Sequence, residues 1–344
     1  MLAISRHLRF ARAAATATAL TALGVLALPG AGHAAPDRAP AQGPFTPSYS
    51  MRYTTSYQEP DRLDEPVRTT GCRRTPVVPP GVTTAQEMES GGVTRTYTVH
   101  LPKRYDPRRS PPVVLSFHGH KRTSQWQEEL SGFSALDTIA VYPQGLIGTD
   151  GESAWQGAPY SAPVDDVRFT SDLLDRLQRQ FCVDNQRIYA AGKSNGGGFV
   201  GVLACRMPGR IAAFAPVAGA YYPQSGPCEP SRPASVIVFH GTADATIPYE
   251  GNPAKGLPAL PDWLADRAGL NGCRPEAKSS RPHPQVEVQR WTGCDTSSRL
   301  VHYRVEGAGH VWPSTGPNND SATPTVIDAT PVIWKFFRGS SLRR

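Results

Sequence analysis

Five residues, Gly192-Lys193-Ser194-Asn195-Gly196, restrict the possible folds more than any other stretch of this 344-residue chain. The run Arg187 to Ala191 before them is β-rich, and the residues after them, to about Cys205, are compatible with a helix. A strand that turns into a helix this abruptly needs small residues at its flanks, and a serine at the tip has its hydroxyl lifted above the sheet edge. Gly192, Gly196, Gly197 and Gly198 meet that need. Alone, the pentapeptide also fits an ordinary glycine-rich turn. Its context decides.

That context alternates strands and helices. Thr94 to Leu101 alternates as a half-buried antiparallel strand does, whereas Val113 to Phe117 is nearly continuous in apolar residues, as expected of a strand covered on both faces. Ile139 to Tyr142, Ile211 to Gly219 and Ser235 to Phe239 are further short apolar runs, and Val286 to Trp291 and Leu300 to Val305 read as late strands. Val164 to Phe181 has helical spacing, with Asp165 and Asp166 placed to favour a helix start. Pro261 to Leu270 and Ile327 to Phe337 are two more helical segments. The pattern predicts an α/β fold with a mainly parallel central sheet and helices on both faces.

The N-terminus has a different character. Arg6, Arg9 and Arg12 precede an apolar run from Ala13 to Leu28, and Gly32-His33-Ala34 supplies small residues for cleavage, so residues 1–34 read as a secretory signal. The apolar run is short for a membrane span. Residues 35–70, rich in Pro, Ser, Thr and charge, read as a linker or an arm on the domain surface, leaving 71–344 as one catalytic domain. Loss of the leader removes three arginines and no acid, so the formal charge falls from +7 to +4. With no basic run interleaved with aromatics, no nucleic-acid partner is expected, nor a membrane role after cleavage.

Six cysteines in an exported chain, with no Cys-x-x-Cys spacing, predict disulfides. They are Cys72, Cys182, Cys205, Cys228, Cys273 and Cys294. Only Cys273 with Cys294 suggests itself as a pair, closing a local loop worth about 3 kcal/mol in the chain-entropy picture. Cys72 is placed to staple the arm to the core.

A serine becomes a useful nucleophile when a histidine takes its proton and a carboxylate fixes that histidine. Asp244 follows the buried run ending Phe239-His240-Gly241, at the strand end where active-site groups collect. Asp262, Asp266 and Asp295 read as solvated surface charge. Among the late histidines, His283 lies between two prolines in an expected loop and His302 falls within a strand, whereas His310 follows the flexible Glu306-Gly307-Ala308-Gly309. Ser194, Asp244 and His310 follow the triad order of α/β-hydrolases. The N–H of Asn195 and one from Gly119 or His120, in Phe117-His118-Gly119-His120, are the expected oxyanion donors. His118 and His120 as metal ligands lack a third ligand at a recognisable spacing, so neither metal nor cofactor is expected.

Taken together, these residues resemble secreted α/β-hydrolase esterases of the polyhydroxybutyrate depolymerase-like and feruloyl esterase group. The resemblance runs from about Cys72 onward and rests on Phe117-His118-Gly119, Val164-Asp165-Asp166-Val167, Tyr189 to Gly198, Phe239 to Asp244 with Pro248-Tyr249, and Gly309-His310-Val311-Trp312-Pro313. It implies the same triad, a single catalytic domain without a metal, and ester-linked polymers or their fragments as substrates. Lys193 departs from the group, where an apolar or aromatic residue often precedes the serine. The expected activity is an extracellular serine carboxylesterase that releases hydroxycinnamates from plant polysaccharide, acting as a monomer. Trp155, Tyr160, Tyr222 and Trp312 are the candidates to stack on an aromatic acyl group. A polyhydroxyalkanoate depolymerase and an acetyl xylan esterase are the alternatives among enzymes, and an inactive polysaccharide-binding protein the alternative outside them.

Overall fold

Strands apolar on both faces require helices on both sides, and the computed structural model, which describes residues 63–342, has this arrangement. In chain order the elements are β1 (Thr83–Ser90), β2 (Val93–His100), β3 (Val113–Phe117), α1 (Ser124–Ser131), β4 (Ile139–Pro143), β5 (Leu146–Ile147), β6 (Ser153–Ala154) and α2 (Asp166–Gln180). There follow β7 (Ile188–Lys193), α3 (Asn195–Arg206), β8 (Ala213–Val217), β9 (Val236–Gly241), α4 (Leu260–Leu270), β10 (Lys278–His283), β11 (Val286–Arg290), β12 (Leu300–Val305) and α5 (Ala329–Arg338). The leader and most of the arm lie outside the described residues.

Ten strands form one sheet in the order β1-β2-β4-β3-β7-β8-β9-β12-β11-β10. The six from β4 to β12 run parallel, and an antiparallel pair extends each edge. Side-chain alternation divides the core. Val113, Leu115 and Phe117 of β3 and Ile188 and Ala190 of β7 join the α2, α3 and α4 side, with Leu173, Phe199 and Leu264. Val114, Tyr189 and Ala191 point the other way, toward Leu130 of α1 and Ile333 and Phe337 of α5. Pro331 is accommodated because it lies in the first turn of α5, where its missing N–H is not needed.

Three disulfides occur, Cys72–Cys182, Cys205–Cys228 and Cys273–Cys294. The first ties the arm to the C-terminal end of α2. Around it, the carbonyl of Val67 accepts from Gln178 Nε2 at 2.9 Å and Asn185 Nδ2 at 2.6 Å, so residues 63–70 lie on the domain surface. His283, expected in a loop, is instead the last residue of the exposed edge strand β10, opposite Val286. A fully exposed edge strand with two nearby prolines carries no apolar alternation to announce it.

The Cys72–Cys182 bridge spans 110 residues, against 23 and 21 for the others. A loop of that size is worth about 4.7 kcal/mol in the chain-entropy picture, against about 3 for a short one. Replacing Cys72 and Cys182 together by serine should therefore lower the melting temperature more than removing Cys273–Cys294. Equal shifts would show that loop length does not govern the effect.

Candidate active site

Because β7, β9 and β12 are parallel and close in the sheet, the turns after them emerge along one edge. Ser194 follows β7, Asp244 follows β9 and His310 follows β12. The turn at Ser194 is sharp, with φ 58° and ψ −121°, a conformation that costs a non-glycine residue roughly 1–3 kcal/mol and persists only where its surroundings enforce it. The surroundings do so: the Ser194 N–H donates to Val217 O at 2.9 Å, and its carbonyl accepts from Gly198 N–H at 2.9 Å and Ala220 N–H at 3.0 Å. A side chain at Gly192 would place Cβ 2.4 Å from Gly196 O, so the chain can reverse this tightly only with glycine there.

Asp244 and His310 meet directly. His310 Nδ1 lies 2.7 Å from Asp244 Oδ2, and since a carboxylate only accepts, Nδ1 carries the hydrogen and Nε2 is left as the basic nitrogen. Burial alone would raise the Asp244 carboxyl, but hydrogen bonds from His240, His310 and the Ile247 N–H outweigh it and hold the acid well below the usual carboxylate range. Its other oxygen, Oδ1, accepts from the N–H groups of Thr246 and Ile247 at 2.9 and 2.8 Å. For His310 burial is the largest influence and pushes the imidazole below its ordinary value, against the pull of Asp244. The net shift favours the neutral, basic form of His310.

The loop after β3 lies against the elbow. A Cβ on Gly119 would come within 3.3 Å of Ser194 Cβ. His118 holds this loop: its Nε2 accepts from Gly145 N–H at 2.9 Å, so its proton is on Nδ1, which donates to Gly119 O at 2.7 Å. Burial lowers His118 to about 4, in keeping with a neutral ring. Both ring nitrogens are thus engaged by the protein itself, and His118 acts as a brace. Because the Gly119 carbonyl is turned toward His118, the N–H of His120 across the same trans peptide points the opposite way. No acceptor meets the N–H groups of Gly119, His120 or Asn195 among the described residues. The Asn195 side chain bonds both backbone groups of Trp155, at 2.7 and 3.2 Å, and the Trp155 indole N–H donates to His118 O at 3.0 Å.

Two of the four aromatic candidates are therefore corrected. Trp155 is 0% exposed, between Phe117 and Phe199, and Trp312 is 1% exposed, beside Phe133 with its indole N–H on Thr330. Neither offers a ring face to a substrate. Tyr160 and Tyr222 are half-buried and meet edge to face at 6.0 Å, while Tyr160 stacks on His120 at 4.1 Å. Tyr222 lines a cavity of about 710 Å³ with Gly198, Tyr221, Leu257 and Trp263; none of Ser194, Asp244 and His310 lines it.

Asp165 caps α2 through Arg168 N–H at 2.8 Å, while Asp166 is buried against Arg95 at 2.7 Å. The sequence reading missed His240, whose Nε2 lies 3.3 Å from Asp244 Oδ2, and Asp320, which pairs with Lys193 at 2.7 Å. His240 stands in the quoted motif before Asp244; Asp320 carries no local signal.

No family model matches the chain. Among curated relatives it is 29% identical over 230 residues to feruloyl esterase B of Piromyces equi, covering 63% of this chain and 42% of that protein. A bifunctional acetylxylan esterase/xylanase of Neocallimastix patriciarum is 26% identical, over 64% of this chain and 31% of its own. The chain thus spans less than half the length of these two relatives. Feruloyl esterase D of Neurospora crassa is 28% identical over 291 residues, covering 78% and 89%. An acetyl xylan esterase from Aspergillus awamori superposes with a TM-score of 0.55 at 14% identity, over 74% of this chain and 99% of the other. The fold is that of the α/β-hydrolase esterases, and the sequence is similar to feruloyl and acetylxylan esterases.

A base that must be neutral loses function as pH falls through its pKa, and burial places that point below 6.5 for His310. The acid limb of kcat/KM for ester hydrolysis should accordingly have its midpoint below pH 6.5. A midpoint above 7 would mean that the titrating group is not a buried, lowered histidine.

Proposed function

We propose that this chain is an exported serine carboxylic ester hydrolase, with Ser194, His310 and Asp244 as its triad and hydroxycinnamate esters of plant polysaccharide as its substrates. The observation that carries the reading is the 2.7 Å Asp244–His310 hydrogen bond at the same sheet edge as a serine held at φ 58°. Ser194 Oγ attacks the ester carbonyl carbon while His310 Nε2 takes its proton. The oxyanion receives the N–H of Asn195 and that of Gly119 or His120. Collapse breaks the ester C–O bond, and the leaving alcohol takes the proton from His310. Water, deprotonated by the same nitrogen, then attacks the acyl-serine and releases the acid. Asp244 holds the tautomer and stabilises the transient imidazolium.

The aromatic acyl preference is supported by the feruloyl esterase relatives and by Tyr160 and Tyr222 beside the oxyanion loop. The cavity beyond Tyr222 can take the part of the substrate remote from the ester. The domain 71–344, the leader 1–34 and action as a monomer belong to the same proposal. Export is supported by three disulfides, and no helix among the described residues is long and apolar enough to cross a membrane.

The test compares initial rates on methyl ferulate, p-nitrophenyl acetate and a short hydroxybutyrate oligomer. Methyl ferulate should be preferred, and Ser194→Ala should lose on the order of 10⁶-fold in kcat while staying folded. Preference for the acetate or the oligomer would move the substrate to acetylated xylan or to a polyester, and an active Ser194→Ala would remove the triad.

A further inference from the structure

Acyl transfer by a serine triad does not require a cation next to the nucleophile, yet Lys193 stands there almost fully buried. Its Nζ lies 2.7 Å from Asp320 Oδ1, with the two side chains 7% and 4% exposed. The second carboxylate oxygen, Asp320 Oδ2, accepts the N–H of Trp312 at 2.7 Å, two residues past His310. The loop behind is closed on itself, since Asn318 Nδ2 donates to Trp312 O at 3.1 Å and Asn318 Oδ1 accepts from Asp320 N–H at 2.9 Å. On the third side, the Lys193 ammonium lies 5.8 Å from the Trp126 ring, and Asn319 Nδ2 donates to Trp126 O at 3.1 Å.

One carboxylate therefore joins residue 193, directly before Ser194, to residue 312, just after His310. Burying such a pair gives little or no stability over an apolar pair of the same volume. What it supplies is geometry: two short charge-assisted bonds on one planar group.

We infer that Lys193 and Asp320 are positioning residues, forming a buried strut that sets the separation of the nucleophile elbow from the His310 loop. The inference rests on the roles proposed for Ser194 and His310. Misplacement of reacting groups by about 1 Å costs on the order of 10²-fold in rate, and both acylation and deacylation pass through His310. Loss of the strut should thus lower kcat and leave KM alone.

Lys193→Met alone strands a buried carboxylate, so the test uses Lys193→Met with Asp320→Asn, which keeps both volumes and can retain the bond to Trp312 N–H while cutting the link to residue 193. Melting temperature, kcat and KM are measured on p-nitrophenyl acetate, a substrate small enough not to need the cavity. A folded double variant with kcat reduced 10- to 100-fold and KM within about twofold supports the strut. A folded variant with kcat unchanged, or with the loss confined to KM, overturns it. Asp320→Asn alone, where Lys193 can shed its proton, is the second variant and is read by the same split if the double variant does not fold. Ser194→Ala run in parallel separates the failures: its continued turnover would defeat the proposed triad, whereas an inactive Ser194→Ala beside a fully active strut variant would defeat the strut only.

Discussion

The candidate active-site edge depends on a close backbone approach between the start of α3 and the end of β3. A Cβ at Gly196 would fall 2.3 Å from Phe117 O and 2.4 Å from His118 O. Only glycine lets the two segments come this near. The approach brings the loop after β3 against the elbow, so that a Cβ on Gly119 would come within 3.3 Å of Ser194 Cβ. The Asn195–Trp155–His118 bonds then lock the contact from behind, which is why Trp155 is spent on the scaffold.

Electrostatics complete what the backbone begins. Asp244 is buried yet ionised, because its oxygens are met by two backbone N–H groups, His240 and His310. A carboxylate so satisfied cannot rotate, and the imidazole it holds cannot change tautomer without losing that bond. His240 is itself fixed through Ile247 O at 2.8 Å, so the acid turn is closed as one unit. The same logic of buried charge tied by short bonds recurs at Lys193 and Asp320, where the carboxylate also accepts the N–H of Trp312.

Much of this was legible in the sequence, for identifiable reasons. Buried parallel strands announce themselves as apolar runs, so β3, β7, β8 and β9 were placed, and with them the strand ends that carry Ser194 and Asp244. The pairing of Cys273 with Cys294 was legible because the two flank one local excursion of the chain, whereas Cys205–Cys228, of nearly the same separation, was not. What escaped was defined by partners rather than by local pattern. β1 buries only Met88 and Ser90, and β10 buries nothing, so neither alternates in a readable way. Trp312 sits beside His310 in the chain but faces the α5 side of the core, because a two-residue offset in a loop says nothing about direction. Asp320 gains its meaning from a lysine 127 positions away.

The most direct measurement is covalent labelling with a fluorophosphonate followed by mass spectrometry of the peptides, on the wild-type chain and on His310→Ala shown to be folded by circular dichroism. A single adduct on Ser194, formed far more slowly without His310, is the expected result. An adduct on another residue, or equal labelling of Ser194 in both proteins, would contradict the assignment of a serine activated by His310.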